Sequence, residues 1–350
     1  MLQYYDGTKL LSMKDLSGNT PELYLVTTNR TGGKTTYFGR LCLNRFLKTG
    51  EKFALLYRFN YELDDIADKF FKDISALFFP DYVMTSKSCA KGIYHELYLQ
   101  HVGSEELKNC GYAISLNSAD QIKKYSHLFS DVQRILFDEF QSENNHYCSE
   151  EIRKFISVHT SIARGQGKQY RPVPVFMLSN PVSILNPYYI ALGITDRLKK
   201  DTKFLKGNGY ILEQGYVESA HAAQKESGFN QAFASDPYIA YSLESVYLND
   251  NESFIEKPPG SGRYLATFVC DGVYYALREF PAAGIIYADD HPDLSNPYKI
   301  SVTTDDHQIN YVMLKKNDMF IKNMRFYFER GSFRFKDLKC KSALLKMISY

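Results

Sequence analysis

The chain has 350 residues, of which 44% are apolar, and a formal net charge of +2. These values exclude gross disorder and predict about two domains, at roughly 100–200 residues each. The aromatic fraction of 15% consists of Tyr and Phe without any Trp, which favours a fold rich in sheet. The six cysteines form no CxxC pair, which argues against a zinc site or a disulfide framework. The sequence shows neither an apolar signal core nor an apolar run of about 18 residues. We therefore expect a soluble intracellular protein that binds no membrane.

The first strong pattern is an apolar run followed by a Gly-Lys-Thr loop. Residues 22–27 (ELYLVT) predict a buried strand. Apolar residues after Thr36 recur at helical spacing, and Gly50 suits a C-terminal cap. Between strand and helix lies a predicted phosphate loop, whose residues are Thr28, Asn29, Arg30, Thr31, Gly32, Gly33, Lys34, Thr35 and Thr36.

This order of strand, loop and helix is the context that a phosphate-binding loop needs, because backbone N–H groups at the helix start point at phosphate oxygens. We expect Lys34 to reach the β- and γ-phosphates of ATP and the Thr35 hydroxyl to coordinate Mg²⁺. Thr28 stands where the usual pattern begins with glycine, so the turn must avoid a positive φ there or be strained. An ordinary strand-to-helix turn is the alternative.

Residues 52–59 predict a further strand, which ends at Arg58. That side chain could reach nucleotide or a partner subunit, and a surface ion pair is the simpler reading. An apolar stripe at helical spacing follows within residues 61–78 and predicts a core helix face, formed by Ile66, Phe70, Phe71, Ile74, Leu77 and Phe78.

A second buried strand is predicted at residues 134–140 (RILFDEF), and it ends in two acids. The carboxyl ends of strands are where an α/β sheet presents its site. We expect Asp138 to hold the Mg²⁺ shell and Glu139 to polarise the attacking water as general base. The alternative is a strand that merely ends at the solvent-exposed surface. The predicted phosphate loop about a hundred residues earlier argues against this alternative.

Two further elements follow a predicted helix at residues 149–162. A Gly-rich basic loop contains Arg164, which could supply a cation to a γ-phosphate on a neighbouring subunit; on chemistry alone a solvated loop is the simpler reading. The strand of residues 173–178 leads to Asn180. This amide could sense the γ-phosphate or the attacking water, or it could merely open the turn before Pro181.

The last hundred residues change character. A helix is expected from about residue 308 to 328 and a basic tail after it. Residues 310–350 contain ten Lys or Arg and three acids, about +7, which suits contact with a phosphate backbone without base reading or docking to a partner. Strand patterns separated by hairpin signals lie at residues 264–270, 273–279 and 284–288.

Five carboxylates in this region invite a two-metal nuclease site: Asp271, Asp289, Asp290, Asp305 and Asp306. We favour another reading, because Asp271 with Gly272 fits a hairpin turn and the acids at 305–306 can cap a helix.

These stretches together resemble the DNA encapsidation ATPases of small tailed bacteriophages, the short terminase-like motors that pump viral DNA into a prohead. Among them, residues 178–189 (LSNPVSILNPYY) are the most specific. The likeness is weakest at residues 79–130 and 215–260. The stretches that carry it are residues 28–35, 44–51, 135–140, 178–189, 287–289 and 302–306.

The resemblance implies an α/β P-loop ATPase domain of the additional-strand type, with a mainly parallel sheet, over residues 1–217. A short helical linker over 218–248 and an RNase H-like α+β domain over 249–350 would follow, the latter a vestigial nuclease that binds DNA or the prohead. Arg164 matches the family's trans-acting arginine, and Arg30 matches its loop arginine. Thr28 and the Gly/Gln-rich run after Arg164 depart from the family pattern.

The resemblance further implies a homopentameric ring on the portal of an empty prohead, with double-stranded DNA as the cargo and room for a structural RNA. The protein would act in the host cytoplasm, transiently on the prohead vertex, with ATP and Mg²⁺ as cofactors. Gln3, Tyr4 and Tyr5 are candidate adenine contacts. Three other functions stay open: a terminase-like motor with an active nuclease, a helicase, and a non-enzymatic nucleotide-binding assembly protein.

Overall fold

The computed structural model divides into two compact units, Met1–Asn249 and Asp250–Tyr350. Among the described residues, none of the helices has the length and apolar character that crossing a bilayer requires. The structure describes residues 4–144, 146–165, 167, 169–195, 197–198, 202–244, 247, 250, 254–313 and 319–349.

The first unit contains a nine-stranded sheet flanked by helices. Its strands are β1 (Leu23–Thr27), β2 (Lys52–Tyr57), β3 (Tyr82–Cys89), β4 (Tyr94–His101), β5 (Leu107–Ser115), β6 (Val132–Asp138), β7 (Val175–Ser179), β8 (Phe204–Lys206) and β9 (Tyr210–Gln214). Its α-helices are α1 (Thr8–Ser12), α2 (Lys34–Thr49), α3 (Ile66–Phe78), α4 (Ala119–Ile122), α5 (Glu151–Ile162), α6 (Pro187–Ala191), α7 (Glu218–Lys225), α8 (Gly228–Ala232) and α9 (Pro237–Glu244). Short 3₁₀ turns lie at Asn60–Leu63, Ala90–Gly92, Leu116–Ser118 and Lys123–Phe129.

The strand order of this sheet is β3-β4-β5-β2-β6-β7-β1-β9-β8. The six strands from β5 to β9 in that order are parallel, and the antiparallel strands lie at the two edges. Strand β7 lies between β1, which precedes the Gly-Lys-Thr loop, and β6, which ends in the two acids. The predicted additional-strand arrangement with a mainly parallel sheet is therefore confirmed.

The central strands are buried on both faces, as expected for parallel strands covered by helices. In β6, Leu136 packs with α2 and α3 on one face, in a cluster that includes Phe38 and Phe70. Its neighbours Ile135 and Phe137 face the other side. This alternation fixes the register of β6 and so fixes where its terminal carboxylates emerge.

Two details of this unit differ from the sequence predictions. Leu77 and Phe78 do not belong to the core, because they are 53% and 37% exposed; Phe78 lies under the Arg40 guanidinium. The region 79–130 contains the antiparallel strands β3 to β5, which the sequence analysis did not predict. Residues 218–244 form three short helices within the first unit, and their assignment as a separate linker stays a prediction.

The second unit is an α+β domain with a six-stranded sheet, in the order β14-β13-β10-β11-β12-β15. An antiparallel β10-β11-β12 meander is flanked by parallel strands on both sides, which agrees with the RNase H-like expectation. The elements are β10 (Arg263–Cys270), β11 (Val273–Phe280), β12 (Ile285–Asp289), β13 (Lys299–Ser301), β14 (Val312–Met313), α10 (Met319–Glu329), β15 (Phe333–Phe335) and α11 (Leu338–Ser349), with a 3₁₀ turn at Pro281–Ala283.

The predicted hairpin at Asp271 and Gly272 is confirmed, with φ values of 51° and 78°, as a two-residue turn with left-handed backbone requires. The predicted helix from residue 308 is wrong in its first part, because β14 occupies Val312–Met313 and α10 begins at Met319. The apolar stripe of α10 and α11, including Ile321 and Leu344, covers the sheet.

Candidate functional site

The site lies at the edge of the first unit's sheet where the parallel strands β1, β6 and β7 end. Because these strands are adjacent and parallel, their carboxyl ends meet at one edge. The loop of residues 28–33, the acids at 138–139 and Asn180 are thereby brought together from three distant parts of the sequence.

The loop between β1 and α2 wraps closely around the helix start. Gly33 has φ 86° and Thr31 has φ 58°, whereas Thr28 keeps a negative φ. The expectation that Thr28 would avoid the glycine conformation is thus met, because the left-handed turn is made later in the loop. A Cβ at Gly32 would lie 2.9 Å from Val217 Cγ2, so this position has no room for a side chain.

The loop is anchored beneath by Asn29. Its fully buried side chain donates to the Val217 carbonyl at 3.1 Å and accepts from the Val217 N–H at 2.9 Å. Thr28 is equally buried. These two residues therefore shape the loop from inside, while Lys34, Thr35 and Thr36 line an open cleft of about 550 Å³.

Lys34 is buried with its ammonium group at the strand ends. Its Nζ donates to Asn180 Oδ1 at 2.7 Å. Burial and, to a smaller extent, the Arg30 charge lower the pKa of Lys34 to about 8, although Asp138 and Glu139 oppose the shift. Within the described residues the ammonium thus donates to one neutral acceptor, and its positive charge is suited to a phosphate.

This lowered pKa predicts that the affinity for ATP depends on pH. The ammonium, which attracts phosphate, is lost as the pH rises through about 8. We therefore expect the Kd for ATP to rise about tenfold between pH 7 and pH 9. Fluorescence titration at several pH values would measure this, with Lys34→Met as the control that binds weakly but without the same pH dependence. If the Kd of the wild type were equally independent of pH, the assignment of Lys34 to phosphate binding would be contradicted.

Thr35 and Asp138 meet directly. Thr35 Oγ1 donates to Asp138 Oδ2 at 2.9 Å. Burial raises the pKa of Asp138, and the Lys34 charge and the Thr35 hydrogen bond oppose that shift. A hydroxyl and a carboxylate are oxygen ligands of the kind that Mg²⁺ prefers, so these two residues fit the predicted metal.

Glu139 has a left-handed backbone, with φ 54°. For a residue with a Cβ this conformation costs roughly 1–3 kcal/mol and clusters at functional sites. Its exposed side chain lines a second cleft of about 240 Å³ together with Asn180, Arg30 and Glu62. Partial removal from water raises the pKa of Glu139, neighbouring carboxylates raise it further, and Arg30 opposes them. A carboxylate with a raised pKa is suited to accept a proton.

Arg30 connects the loop to its surroundings. Its guanidinium pairs with Glu143 and lies 5.3 Å from the centroid of the Tyr238 ring. Its backbone N–H donates to the Ser242 carbonyl at 3.2 Å, and its carbonyl accepts from Gln224 at 3.2 Å. Helices α7 and α9 thus contact the phosphate loop itself.

Arg58 is not the surface residue that the sequence suggested. It is buried, and its Nε lies 3.0 Å from both carboxylate oxygens of buried Glu151. Its two Nη atoms donate to the Glu139 carbonyl at 3.3 Å, and Nη2 also donates to the Phe140 carbonyl at 2.8 Å. Sequence pattern alone missed this network.

Arg164 lies elsewhere. It is exposed at the end of α5 and does not line either cleft. The buried Arg171 anchors the base of the same loop by donating to the Ile162 carbonyl at 2.6 Å and the Phe129 carbonyl at 3.2 Å. Among the described residues predicted to act on the phosphates, the metal or the attacking water, Arg164 is thus placed away from the others within one chain.

Comparison with known proteins identifies the family. A profile of the podovirus DNA encapsidation protein (Gp16) family matches residues 2–349. The chain belongs to this family. The match confirms the family of DNA encapsidation proteins predicted from the sequence, and with it the predicted role in DNA packaging.

Relatives of this encapsidation protein resemble it along almost its whole length. The DNA packaging protein of Bacillus phage phi29 is 25% identical over 336 residues, covering 95% of this chain and 93% of the relative. That of Bacillus phage B103 is 26% identical, covering 91% and 92%. The fold is shared with a chain of the bacteriophage phi29 viral genome packaging motor assembly, with a TM-score of 0.68, 23% identity and 99% coverage of both chains. It is also shared with a chain of the Phi-28 gp11 DNA packaging motor, with a TM-score of 0.59, 16% identity, and 100% and 99% coverage.

The carboxylates in the second unit of this encapsidation protein have structural partners. Asp306 accepts from the backbone N–H groups of Asp271 and Gly272 at 2.9 and 2.7 Å, so it holds the hairpin turn and does not cap a helix as predicted. Buried Asp289 pairs with Arg278 at 2.7 Å. Asp289, Asp290 and His291 have ligand atoms within 4.8 Å of one another, but the five predicted acids do not form one cluster.

The basic surface predicted for residues 310–350 is partly used within its own unit. Arg325 donates to the Ile348 carbonyl at 2.6 Å. Lys315 and Lys316 lie outside the described residues, as does Gln3. Three of the described basic residues form ion pairs: Arg334 with Glu256, Lys336 with Asp290 and Lys346 with Asp271.

Proposed function

We propose that the protein binds ATP with Mg²⁺ in the cleft at the ends of β1, β6 and β7 and hydrolyses it to drive double-stranded DNA into a prohead. The observation that carries this proposal is the convergence of two contacts at one sheet edge. Thr35 Oγ1 lies 2.9 Å from Asp138, and Lys34 Nζ lies 2.7 Å from Asn180. Each joins the start of α2 to a strand end more than a hundred residues away.

The phosphate side of the mechanism uses the start of α2. Backbone N–H groups after Gly33 and the Lys34 ammonium bind the β- and γ-phosphates, for which a helix N-terminus is suited. Thr35 and Asp138 would hold Mg²⁺, which when bound neutralises charge on the phosphate oxygens. ATP would displace Asn180 as the partner of Lys34, which leaves that amide beside the γ-phosphate as a sensor.

The water side of the mechanism uses Glu139. Its carboxylate orients the attacking water and accepts its proton, since its raised pKa brings it closer to the operating pH. Arg164 is exposed and remote from its own cleft, so we assign it to the cleft of a neighbouring subunit. There it would stabilise the charge on the transferring phosphoryl group.

Tyr4 is the proposed adenine contact. Its half-exposed ring lines the cleft with Gly33, where a glycine Cβ would be 3.1 Å away from it. An exposed aromatic face beside the loop can stack on a base. Tyr5 is unsuited to this role, because it is buried and donates to Glu213 at 2.6 Å.

The motor would be a ring of five copies, assembled from the host cytoplasm onto the portal of a prohead, with room for a structural RNA there. The names of the relatives, DNA packaging proteins and components of packaging motors, support this assembly. ATP binding would tighten the grip on DNA, and phosphate release would loosen it. The excess of positive charge in residues 310–350 would contact DNA phosphates or the prohead.

A packaging assay tests this function. Proheads, genomic DNA and the full chain are mixed with ATP, and DNA protected from added nuclease is measured. We expect protection with ATP and none with a non-hydrolysable analogue. Unwinding of a tailed duplex without protection would favour a helicase, and nicking of plasmid with Mn²⁺ would favour an active nuclease; a lack of ATPase activity with DNA and proheads present would favour an assembly protein.

A further inference from the structure

We propose that the buried Arg58–Glu151 pair fixes the backbone at Glu139, which makes Arg58 a positioning residue for the water-activating carboxylate. This inference rests on the proposed role of Glu139. It assigns a task to two charged residues that the mechanism above does not otherwise use.

Glu139 has an unusual backbone conformation. Its φ of 54° is one that residues with a Cβ rarely adopt, so something outside the residue must hold it. The Glu139 carbonyl accepts from both Nη atoms of Arg58 at 3.3 Å, and the next carbonyl, of Phe140, accepts from Nη2 at 2.8 Å. One guanidinium thus ties the two peptide groups that follow the strand end.

Glu151 in turn holds the Arg58 guanidinium in place. Glu151, at the start of α5, places both carboxylate oxygens 3.0 Å from Arg58 Nε. Glu151 is itself held, because it accepts from the Tyr188 hydroxyl at 2.8 Å and from the Cys148 N–H at 2.7 Å. The exposed fractions of Arg58 and Glu151 are 5% and 4%.

The buried Arg58–Glu151 pair lies next to the Glu139 backbone. Enclosing two charges loses their hydration, and a well-packed apolar pair is often as stable, so stability alone does not account for it. In the described structure Arg58 donates to Glu151 and to the two carbonyls, and its side chain also lines the cleft. Its contacts with these carbonyls let it act on the reaction through the backbone of Glu139, whose side chain lines the same cleft. A displacement of about 1 Å at such a group costs on the order of 100-fold in rate.

The test replaces both charges together. Arg58→Met alone would leave Glu151 buried without its partner and could unfold the protein, whereas the Arg58→Met/Glu151→Met double variant removes both charges at similar volume. In this variant the buried Tyr188 hydroxyl and the Cys148 N–H lose their acceptor, so we expect a Tm below that of the wild type. At a temperature where the variant is folded, we expect an unchanged Kd for a fluorescent ATP analogue and a kcat lower by about 100-fold. Arg58→Lys, which keeps the charge but not the fork of donors, should also lower kcat without changing KM.

The matched control lies at the start of α5. Glu150 and Arg153 form an exposed ion pair at 2.8 Å, and Glu150→Met/Arg153→Met should leave kcat unchanged. A wild-type kcat in the folded Arg58→Met/Glu151→Met variant, or in Arg58→Lys, would overturn the inference and leave a purely structural pair. Glu139→Gln is measured in parallel: full turnover there would overturn the general-base role as well, whereas loss of turnover there alone would overturn only the role of Arg58.

Discussion

Glu139→Gln is expected to bind ATP as tightly as the wild type and to lose turnover by a factor of about 10² to 10⁴. The amide keeps the shape of the carboxylate and its place in the cleft but cannot accept a proton from water. Since the described hydrogen bonds of the Lys34 and Thr35 side chains go to Asn180 and Asp138, the substitution leaves these contacts intact. ATP affinity is measured by fluorescence titration and turnover by phosphate release from the full chain with proheads and DNA.

The control for this variant is Glu150→Gln, which changes an exposed carboxylate immediately before α5 and should hydrolyse ATP normally. The wild-type pH profile gives a second check. Burial and neighbouring carboxylates raise the pKa of Glu139, and the base acts only when deprotonated, so kcat should fall as the pH drops through that raised value. Normal turnover by Glu139→Gln would contradict its assignment as general base.

Arg164→Ala is expected to lower turnover in the assembled motor by about 10³- to 10⁵-fold, the range for an arginine that stabilises phosphoryl transfer. The exposed position of Arg164 outside both clefts of its own chain predicts that it acts on a neighbour. ATP binding by the single chain should therefore be unchanged. Arg153→Ala, which removes another exposed arginine of the same region, is the matched control and should retain full activity.

Mixing two inactive variants tests the trans arrangement directly. A ring that contains Arg164→Ala and Glu139→Gln subunits has some sites with an intact Glu139 next to a subunit with an intact Arg164. Such mixed rings should recover measurable hydrolysis, although each variant alone is inactive. Mixed rings as inactive as the separate variants would show that Arg164 does not complete a neighbour's site.

The arrangement of the central sheet could be predicted because its signals are local. The apolar runs that end at Thr27 and Asp138 each correspond to a strand, and Gly50 ends α2 with φ 75°. Since parallel strands share an edge, placing Lys34 and Thr35 near Asp138 required only their positions after strands. Asn180 stayed ambiguous in the sequence, because turn openers and phosphate sensors have the same composition.

The residues that the sequence missed depend on partners far along the chain. Arg58 pairs with Glu151, 93 positions later, and nothing near Arg58 distinguishes a buried guanidinium from a surface one. The sequence signal for the strands β3 to β5 is weaker. In β4, Leu97 and Leu99 alternate with Tyr98 in a pattern of buried and partly exposed residues, which could have indicated this hairpin.

In the second unit, residue type alone led to wrong predictions about which charged side chains are free. The acids at 305–306 suggested a helix cap, but Asp306 is bound by the turn at Asp271, 35 positions earlier. The count of basic residues in 310–350 likewise overstated the free charge, since Lys346 pairs with the same Asp271. Tertiary pairing decides which charges remain for a partner, and it is not encoded in local composition.

A structure of the assembled ring with Mg²⁺ and a non-hydrolysable ATP analogue would test the account most directly. We predict a γ-phosphate held by Lys34, a metal between Thr35 and Asp138, Glu139 facing the γ-phosphate, and Arg164 of the adjacent copy reaching the same group. A nucleotide bound elsewhere, with Lys34 still donating to Asn180 and the cleft beside Gly33 empty, would contradict it.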